Sequence, residues 1–106
     1  MPLVFSETPP VAAAPSAPGA PQNVLASSSG GTVAITWSAP ITGGAPTSYV
    51  LEAGTAPGLA NLATVPVPGT SFTATGVPRG TYYIRVRGVN TIGTGPASAD
   101  VQLVVS

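Results

Sequence analysis

Side chains that carry acid–base or nucleophilic chemistry are scarce in this sequence of 106 residues. It contains no histidine, cysteine or lysine, and therefore offers no imidazole base, thiolate or amine nucleophile. Its carboxylates are Glu7, Glu52 and Asp100, which fall in separate predicted segments with no third group to orient a catalytic pair. Serine and threonine are abundant, but a hydroxyl without a base is an ordinary polar group. We therefore expect a protein that is not an enzyme.

The composition also argues against cofactors and several classes of partner. A phosphate-binding loop needs a glycine-rich turn followed by lysine, and calcium needs clustered oxygens; the sequence has neither. With a formal net charge of zero and three basic residues, it lacks a basic patch that would bind nucleic acid or an anionic membrane surface. No apolar stretch is long enough to span a bilayer. We expect no cofactor, no metal, no nucleic-acid partner and no membrane insertion.

One predicted strand carries the candidate contact surface. In residues 81–90 every second side chain falls on the same face, which places Tyr83, Arg85 and Arg87 in an outward stripe. One interpretation is a solvated face, with arginine stems over the tyrosine and Glu52 pairing across strands. The other is a polar–aromatic patch that contacts a sugar or a protein. The loops at residues 38–47 and 90–96 are a further candidate, although neither contains the tyrosine or tryptophan typical of a matured binding loop.

The first 18 residues differ in composition from the rest of the chain. They include five prolines among alanine and serine, which excludes a helix or a central strand. We predict an extended linker or tail over residues 1–18 and one folded domain over residues 19–106. Within the tail, only Leu3-Val4-Phe5 is suited to pair as a strand, and it could add to the edge of a neighbouring copy. A flexible linker is the favoured interpretation of the tail, and strand addition is the alternative.

Period-two alternation of apolar residues dominates the chain from Gln22 onward. It predicts strands around residues 22–26, 32–37, 49–53, 72–74, 81–90 and 101–105, with a weaker edge strand near residues 62–67. Turn residues separate these strands, and Gly93, Gly95 and Pro96 predict a loop before the last one. Seven short strands without a helical period indicate a sandwich or a small barrel.

Several motifs in this order resemble the fibronectin type III family. Residues 76–90, Gly-Val-Pro-Arg-Gly-Thr-Tyr-Tyr-Ile-Arg-Val-Arg-Gly-Val-Asn, are similar to the family's E–F corner and strand F. Trp37 matches the strand-B tryptophan, residues 49–53 match strand C, and residues 18–21 and 70–74 resemble the starts of strands A and E. The resemblance covers roughly residues 19–105, and the Gly-Thr-Tyr-Tyr run is similar to bacterial secreted and surface proteins. Ala74 and Gly88 are smaller than many members carry, so we expect neighbouring positions to fill the core.

The resemblance implies an immunoglobulin-like antiparallel β-sandwich of seven strands. It also implies structural roles for a set of core residues: Trp37, Tyr49, Leu51, Phe72, Tyr82, Ile84 and Val86. Tyr82 would be the tyrosine corner, with its ring in the core and its hydroxyl bonded to the E–F turn.

The function implied by the resemblance is a non-catalytic extracellular or cell-surface module within a larger protein. It would serve as a structural spacer or would bind an unidentified protein or polysaccharide. The alternative is a self-assembling fibre subunit, in which the N-terminal segment contacts neighbouring copies of the chain.

Overall fold

The computed structural model describes residues 15–106, which form eight β-strands and no helix. The strands are β1 (Gln22–Ser29), β2 (Thr32–Ser38), β3 (Ser48–Gly54), β4 (Ala63–Val67), β5 (Ser71–Ala74), β6 (Gly80–Val89), β7 (Thr94–Ala97) and β8 (Val101–Val105). One sheet has the order β1-β2-β5. The other has the order β4-β3-β6-β7, with β8 also paired to β6. All pairs are antiparallel, so the predicted all-β sandwich is confirmed.

The strand count is eight, where the sequence predicted seven. The additional strand is β7, which pairs with the C-terminal half of β6, while β8 pairs with the N-terminal half of β6. Ser98 separates the two: its backbone N–H donates to the Val86 carbonyl at 2.8 Å, and its hydroxyl accepts from the Val86 N–H at 3.0 Å. The loop prediction at Gly95 and Pro96 was wrong because proline is tolerated in a strand at the edge of a sheet.

The core lies between the sheets and follows from the alternation of side chains along each strand. In β2, Val33, Ile35 and Trp37 are buried and the residues between them are exposed. The Trp37 ring meets the Tyr49 ring of the opposite sheet edge-on, with centroids 5.5 Å apart and planes at 69°, an arrangement that aromatic pairs favour. The buried hydrophobic residues are Val33, Ile35, Trp37, Tyr49, Leu51, Ala53, Val67, Ile84, Val86, Leu103 and Val105.

The two ends of the sandwich differ. The loop end is formed by residues 39–47, 68–70 and 90–93, and the turn end by residues 30–31, 55–62 and 75–79. The chain enters at the loop end, where Pro18 bridges Gly43. It leaves at the turn end, where Val105 pairs with Gly80.

The two lateral sides of the sandwich also differ. On one side β1 lies beside β8, and the Ser28 hydroxyl donates to the Val104 carbonyl at 2.8 Å. On the other side β4 and β5 are the outer strands of their sheets and do not pair with each other. The sandwich is therefore closed along β1 and β8 and open between β4 and β5.

Candidate functional site

The outer face of the larger sheet carries a cluster of three charged side chains. In the register of β3 and β6, Glu52 lies opposite Arg85, and Arg87 follows two residues along on the same face. Glu52 Oε1 is 2.5 Å from Arg85 Nε, and both carboxylate oxygens are 3.2 Å from Arg87 Nε. The side chains of Glu52 and Arg85 are only 13% and 15% exposed. One carboxylate therefore binds both predicted arginines across the two strands, and the low exposure of Glu52 and Arg85 shows that this part of the outer face is largely covered.

The electrostatics of the cluster favour an ionised carboxylate. Burial raises the pKa of Glu52, but the hydrogen bonds from Arg85 and Arg87 and their charges outweigh it and hold the pKa below its ordinary value. Arg87 also donates from Nη1 to the Gly95 carbonyl at 3.2 Å, which ties β7 to the cluster. A carboxylate held as an anion by two guanidinium groups is poorly suited to donate or take up protons near neutral pH.

Tyr83, the third predicted contact residue, lies on the same face of β6. It is half-buried and is in register with Gly54 of β3 and Gln102 of β8. Within the described residues, Arg85 and Arg87 are both paired with Glu52. Of the three predicted contact residues, Tyr83 is the one that takes no part in these ion pairs.

Tyr82, on the opposite face of β6, is bonded to the turn that precedes the strand. Its hydroxyl donates to the Pro78 carbonyl at 2.6 Å, which is the geometry of a tyrosine corner. The ring packs against the core. The hydrogen bond itself is accessible to solvent. Tyr82 therefore connects the core, where its ring lies, to the exposed turn at residues 75–79.

The loop end holds the last residues of the predicted tail. The Asn90 side-chain amide donates to the Ser16 carbonyl at 2.8 Å, and the Gly44 N–H donates to the Ala17 carbonyl at 3.3 Å. Pro18 is fully buried. Residues 16–18 are thus packed against the sandwich, and the first described residue outside these contacts is Pro15.

Two glycines make room for Pro18. A Cβ at Gly88 would lie 2.8 Å from the Pro18 Cβ, and a Cβ at Gly95 would overlap the Pro18 carbonyl oxygen. The small residue at position 88 is therefore compensated by Pro18 and by Pro46, whose Cβ is 3.5 Å from the same point.

An apolar groove of about 460 Å³ opens between β4 and β5. Three alanines, Ala53, Ala63 and Ala74, line it together with larger apolar residues including Phe72 and Leu62. Part of the space near Ala74 is therefore not filled by neighbouring side chains. Sequence reasoning missed this groove, although the small residue at position 74 was a signal of missing volume in the core.

Among residues 15–106, no three histidine, cysteine, aspartate or glutamate side chains come together as metal ligands would. No helix in that part of the chain is long and apolar enough to cross a membrane.

The fold and the outer-face cluster define an all-β sandwich module, and comparison with known proteins gives its family. The Fibronectin type III domain model matches residues 19–104. The chain therefore belongs to the fibronectin type III family, whose members fit a non-catalytic structural or interaction role. Comparison with curated protein sequences finds no significant match.

Three solved structures of the same fold are similar to this chain, two of them along nearly their whole length and the third over about a third of it. The FN5 domain of Drosophila Lar is 25% identical with a TM-score of 0.65, and the match covers 83% of this chain and 96% of that one. The sixth fibronectin type III domain from human fibronectin type III domain containing protein 3 is 27% identical with a TM-score of 0.67, covering 88% and 90%. Domains A168–A170 from titin, 23% identical with a TM-score of 0.66 and covering 83% and 32%, share the fold.

Proposed function

We propose that this chain is an extracellular spacer module, one domain of a larger secreted or cell-surface protein of bacterial type. The observation that carries the proposal is that the chain enters and leaves the sandwich at opposite ends. Pro18 is fixed at the loop end and Val105 at the turn end. Domains joined through these points would follow one another in a line, each adding about the length of the sandwich.

The strand arrangement suits a module that bears tension between its ends. β8 pairs with the N-terminal half of β6 over five residue pairs, from Gly80↔Val105 to Ile84↔Val101. Antiparallel hydrogen bonds run perpendicular to the strands. A pull along the strand direction therefore loads these bonds together, so that several must break before β8 detaches.

The sequence supports placement outside the cytoplasm. Charged residues make up 6% of the chain, and threonine, serine, glycine, alanine and proline are frequent, a composition associated with exported bacterial proteins. Antibodies raised against the purified chain should label intact cells of the source organism or its culture medium. Labelling confined to lysed cells would contradict this placement.

The spacer role is tested by the length of tandem copies. One, two and three copies of the chain, joined end to end, would be measured by small-angle X-ray scattering. We expect the maximum dimension to rise by a constant increment for each copy. In a matched control, residues 1–14 between the copies are replaced by a Gly-Ser segment of equal length, which should shorten the mean dimension because such segments behave as flexible coils. Compact particles whose length does not grow with copy number would overturn the proposal.

Contact with a protein or polysaccharide through Tyr83, Arg85 and Arg87 is a second proposal. Since Glu52 engages both arginines, the Tyr83 ring would supply most of the contact, by stacking on a sugar face. Tyr83→Ala should reduce retention of the chain on insoluble polysaccharide, whereas Tyr83→Phe, which keeps the ring, should retain it. Equal retention of the parent chain and Tyr83→Ala would remove this surface from consideration.

A further inference from the structure

We propose that the groove between β4 and β5 binds residues Leu3–Phe5 of a second copy of this chain, which links copies head to tail. A spacer role does not require this contact. The groove is an unfilled apolar site on the folded domain, and residues 3–5 are the most apolar stretch of the tail.

The groove has the size and chemistry of a site for apolar side chains. Its volume of about 460 Å³ is roughly three times that of a cavity of about 150 Å³ that binds benzene in another protein. Its lining is almost entirely apolar, from Ile35 and Leu51 in the core to Val77 at the turn end. Leu62 at its border is 48% exposed. Apolar side chains that enter this space would remove both their own surface and that of Leu62 from water.

The strand edge beside the groove can accept an added strand. β5 is the outer strand of its sheet and contains no proline, so its free edge carries backbone donors and acceptors. β4, across the groove, contains Pro66, which lacks a donor. An extended segment paired to β5 would gain main-chain hydrogen bonds and would place alternate side chains in the groove, as in strand-addition complexes.

The sequence of residues 3–5 matches this geometry. In an extended segment Leu3 and Phe5 point to one side and Val4 to the other. Leu3 and Phe5 would therefore occupy the groove together. The other larger apolar residues of 1–14 are Met1, which Pro2 separates from Leu3, and Val11, which stands alone among proline and alanine. The rest are proline, alanine, serine, threonine and Glu7, so residues 3–5 are the one run of adjacent large apolar side chains.

The tail and the border of the groove carry opposite charges. Glu7 follows Phe5 by two residues and is the acidic residue of the tail. Arg79 is exposed and lies next to Pro78, which lines the groove. Within residues 15–106, Arg79 makes no ion pair, whereas Arg85 and Arg87 both contact Glu52. With Phe5 in the groove, Glu7 would lie at its border, on the side of Arg79.

The positions of the chain ends favour a second copy as the donor. The tail joins the domain at the loop end, while residues 75–78 place the border of the groove at the turn end. To reach its own groove, the tail would have to run back along the domain from the loop end, where Pro18 is fixed, to the turn end. A copy stacked head to tail presents its tail directly at this groove. Such a contact uses two different surfaces. Because these surfaces lie at opposite ends of the domain, copies repeated in a line would give an open fibre and not a closed ring.

Cross-linking of the full chain tests the contact directly, because the chain contains no cysteine of its own. In the variant Glu7→Cys with Arg79→Cys, the proposed ion pair becomes a disulfide pair. Under mild oxidation we expect a ladder of dimers and higher species on a non-reducing gel. The control, Glu7→Cys with Thr91→Cys, moves the second cysteine to the loop end and should give at least tenfold less ladder at equal concentration.

Substitutions in the tail test the assigned side chains. In the Glu7→Cys, Arg79→Cys background, Leu3→Ser or Phe5→Ser should abolish the ladder, whereas Val4→Ser should leave it unchanged because Val4 faces away from the groove. Near-ultraviolet circular dichroism of the Trp37 and Tyr49 pair would confirm that each variant is folded. A fast-migrating monomer cross-linked within one chain would overturn the assignment to a second copy. A monomer without cross-links, or a ladder that persists in Leu3→Ser and Phe5→Ser, would overturn the site.

Discussion

The hydroxyl of Tyr82 lies 2.6 Å from the carbonyl oxygen of Pro78, four residues earlier in the chain. This bond connects β6, the strand with most partners in the larger sheet, to the turn that brings the chain across from the smaller sheet. The Tyr82 ring also lines the apolar groove. One side chain thus holds the turn in place and borders the space between the sheets.

Removal of this hydroxyl should lower stability modestly. Tyr82→Phe keeps the ring and deletes the hydrogen bond, and we expect a loss of about 1 kcal/mol in the free energy of unfolding, since the Pro78 carbonyl can accept from water instead. Urea unfolding followed by circular dichroism measures it. Tyr83→Phe, on the neighbouring position of the same strand, is the control. Equal stability of Tyr82→Phe and the parent would mean that the corner bond contributes nothing.

Loss of the tryptophan should be severe. Trp37 is 5% exposed and packs edge-on against Tyr49. Trp37→Ala should lower the free energy of unfolding by about 3–5 kcal/mol, a large part of the stability of a domain of this size. Circular dichroism at rising urea concentration measures the loss, with Thr36→Ala, an exposed position of the same strand, as the control. A midpoint shift no larger than that of the control would contradict the placement of Trp37 in the core.

The outer-face cluster predicts a dependence of stability on pH. Since the pKa of Glu52 is lower in the folded than in the unfolded chain, its ionised carboxylate stabilises the fold fully at pH values above its pKa in the unfolded chain. This stabilisation is lost as the pH falls through the pKa of Glu52 in the folded chain.

The substitution Glu52→Gln should lower the free energy of unfolding at pH 7 by about 1.5–3 kcal/mol. It should also make stability less dependent on pH in the acid range. Urea midpoints between pH 2 and pH 7 measure this effect. Asp100→Asn is the matched control, because Asp100 is exposed and makes no ion pair among the described residues. An unchanged acid limb in Glu52→Gln would contradict the assignment.

The contact between Gly95 and Pro18 predicts a steric effect. Gly95→Ala would place its methyl group against the Pro18 carbonyl oxygen, and we expect a loss of about 1–3 kcal/mol, as for overpacked interiors. Gly93→Ala, where no atom lies within 4 Å of the added carbon, should be nearly neutral. Hydrogen exchange at the Gly19 amide, which donates to the Thr42 carbonyl at 2.9 Å, should accelerate in Gly95→Ala alone. Equal exchange rates in both variants would show that Pro18 does not depend on this glycine.

Much of the fold could be predicted because strand periodicity is local. Alternation in residues 32–37 and 81–90 fixes which side chains enter the core, since a strand has only two faces. The pairing of Glu52 with Arg85 follows from the same alternation once the strands are aligned. The strand β7 was missed because Gly95 and Pro96 are turn residues by type, and only their position at the sheet edge makes a strand possible.

Features that depend on packing between distant segments could not be predicted from local patterns. The burial of Pro18 depends on the absence of side chains at Gly88 and Gly95, which lie about 70 to 77 residues further along the chain. The groove depends on the sum of small volumes at Ala53, Ala63 and Ala74, which lie on three different strands. Neither relationship is visible until the two sheets are placed face to face.

The anchoring of Ser16–Pro18 on the loop end has a consequence for a protein that contains several such domains. Because Asn90 and Gly44 hold residues 16 and 17, the pivot between this domain and a preceding one would lie near Pro15. Bending at that pivot would pull on the loops of residues 39–47 and 90–93. The conformation of these loops, which form one end of the sandwich, would therefore depend on the angle between neighbouring domains. Conversely, a ligand bound to these loops would change the range of angles that neighbouring domains can adopt.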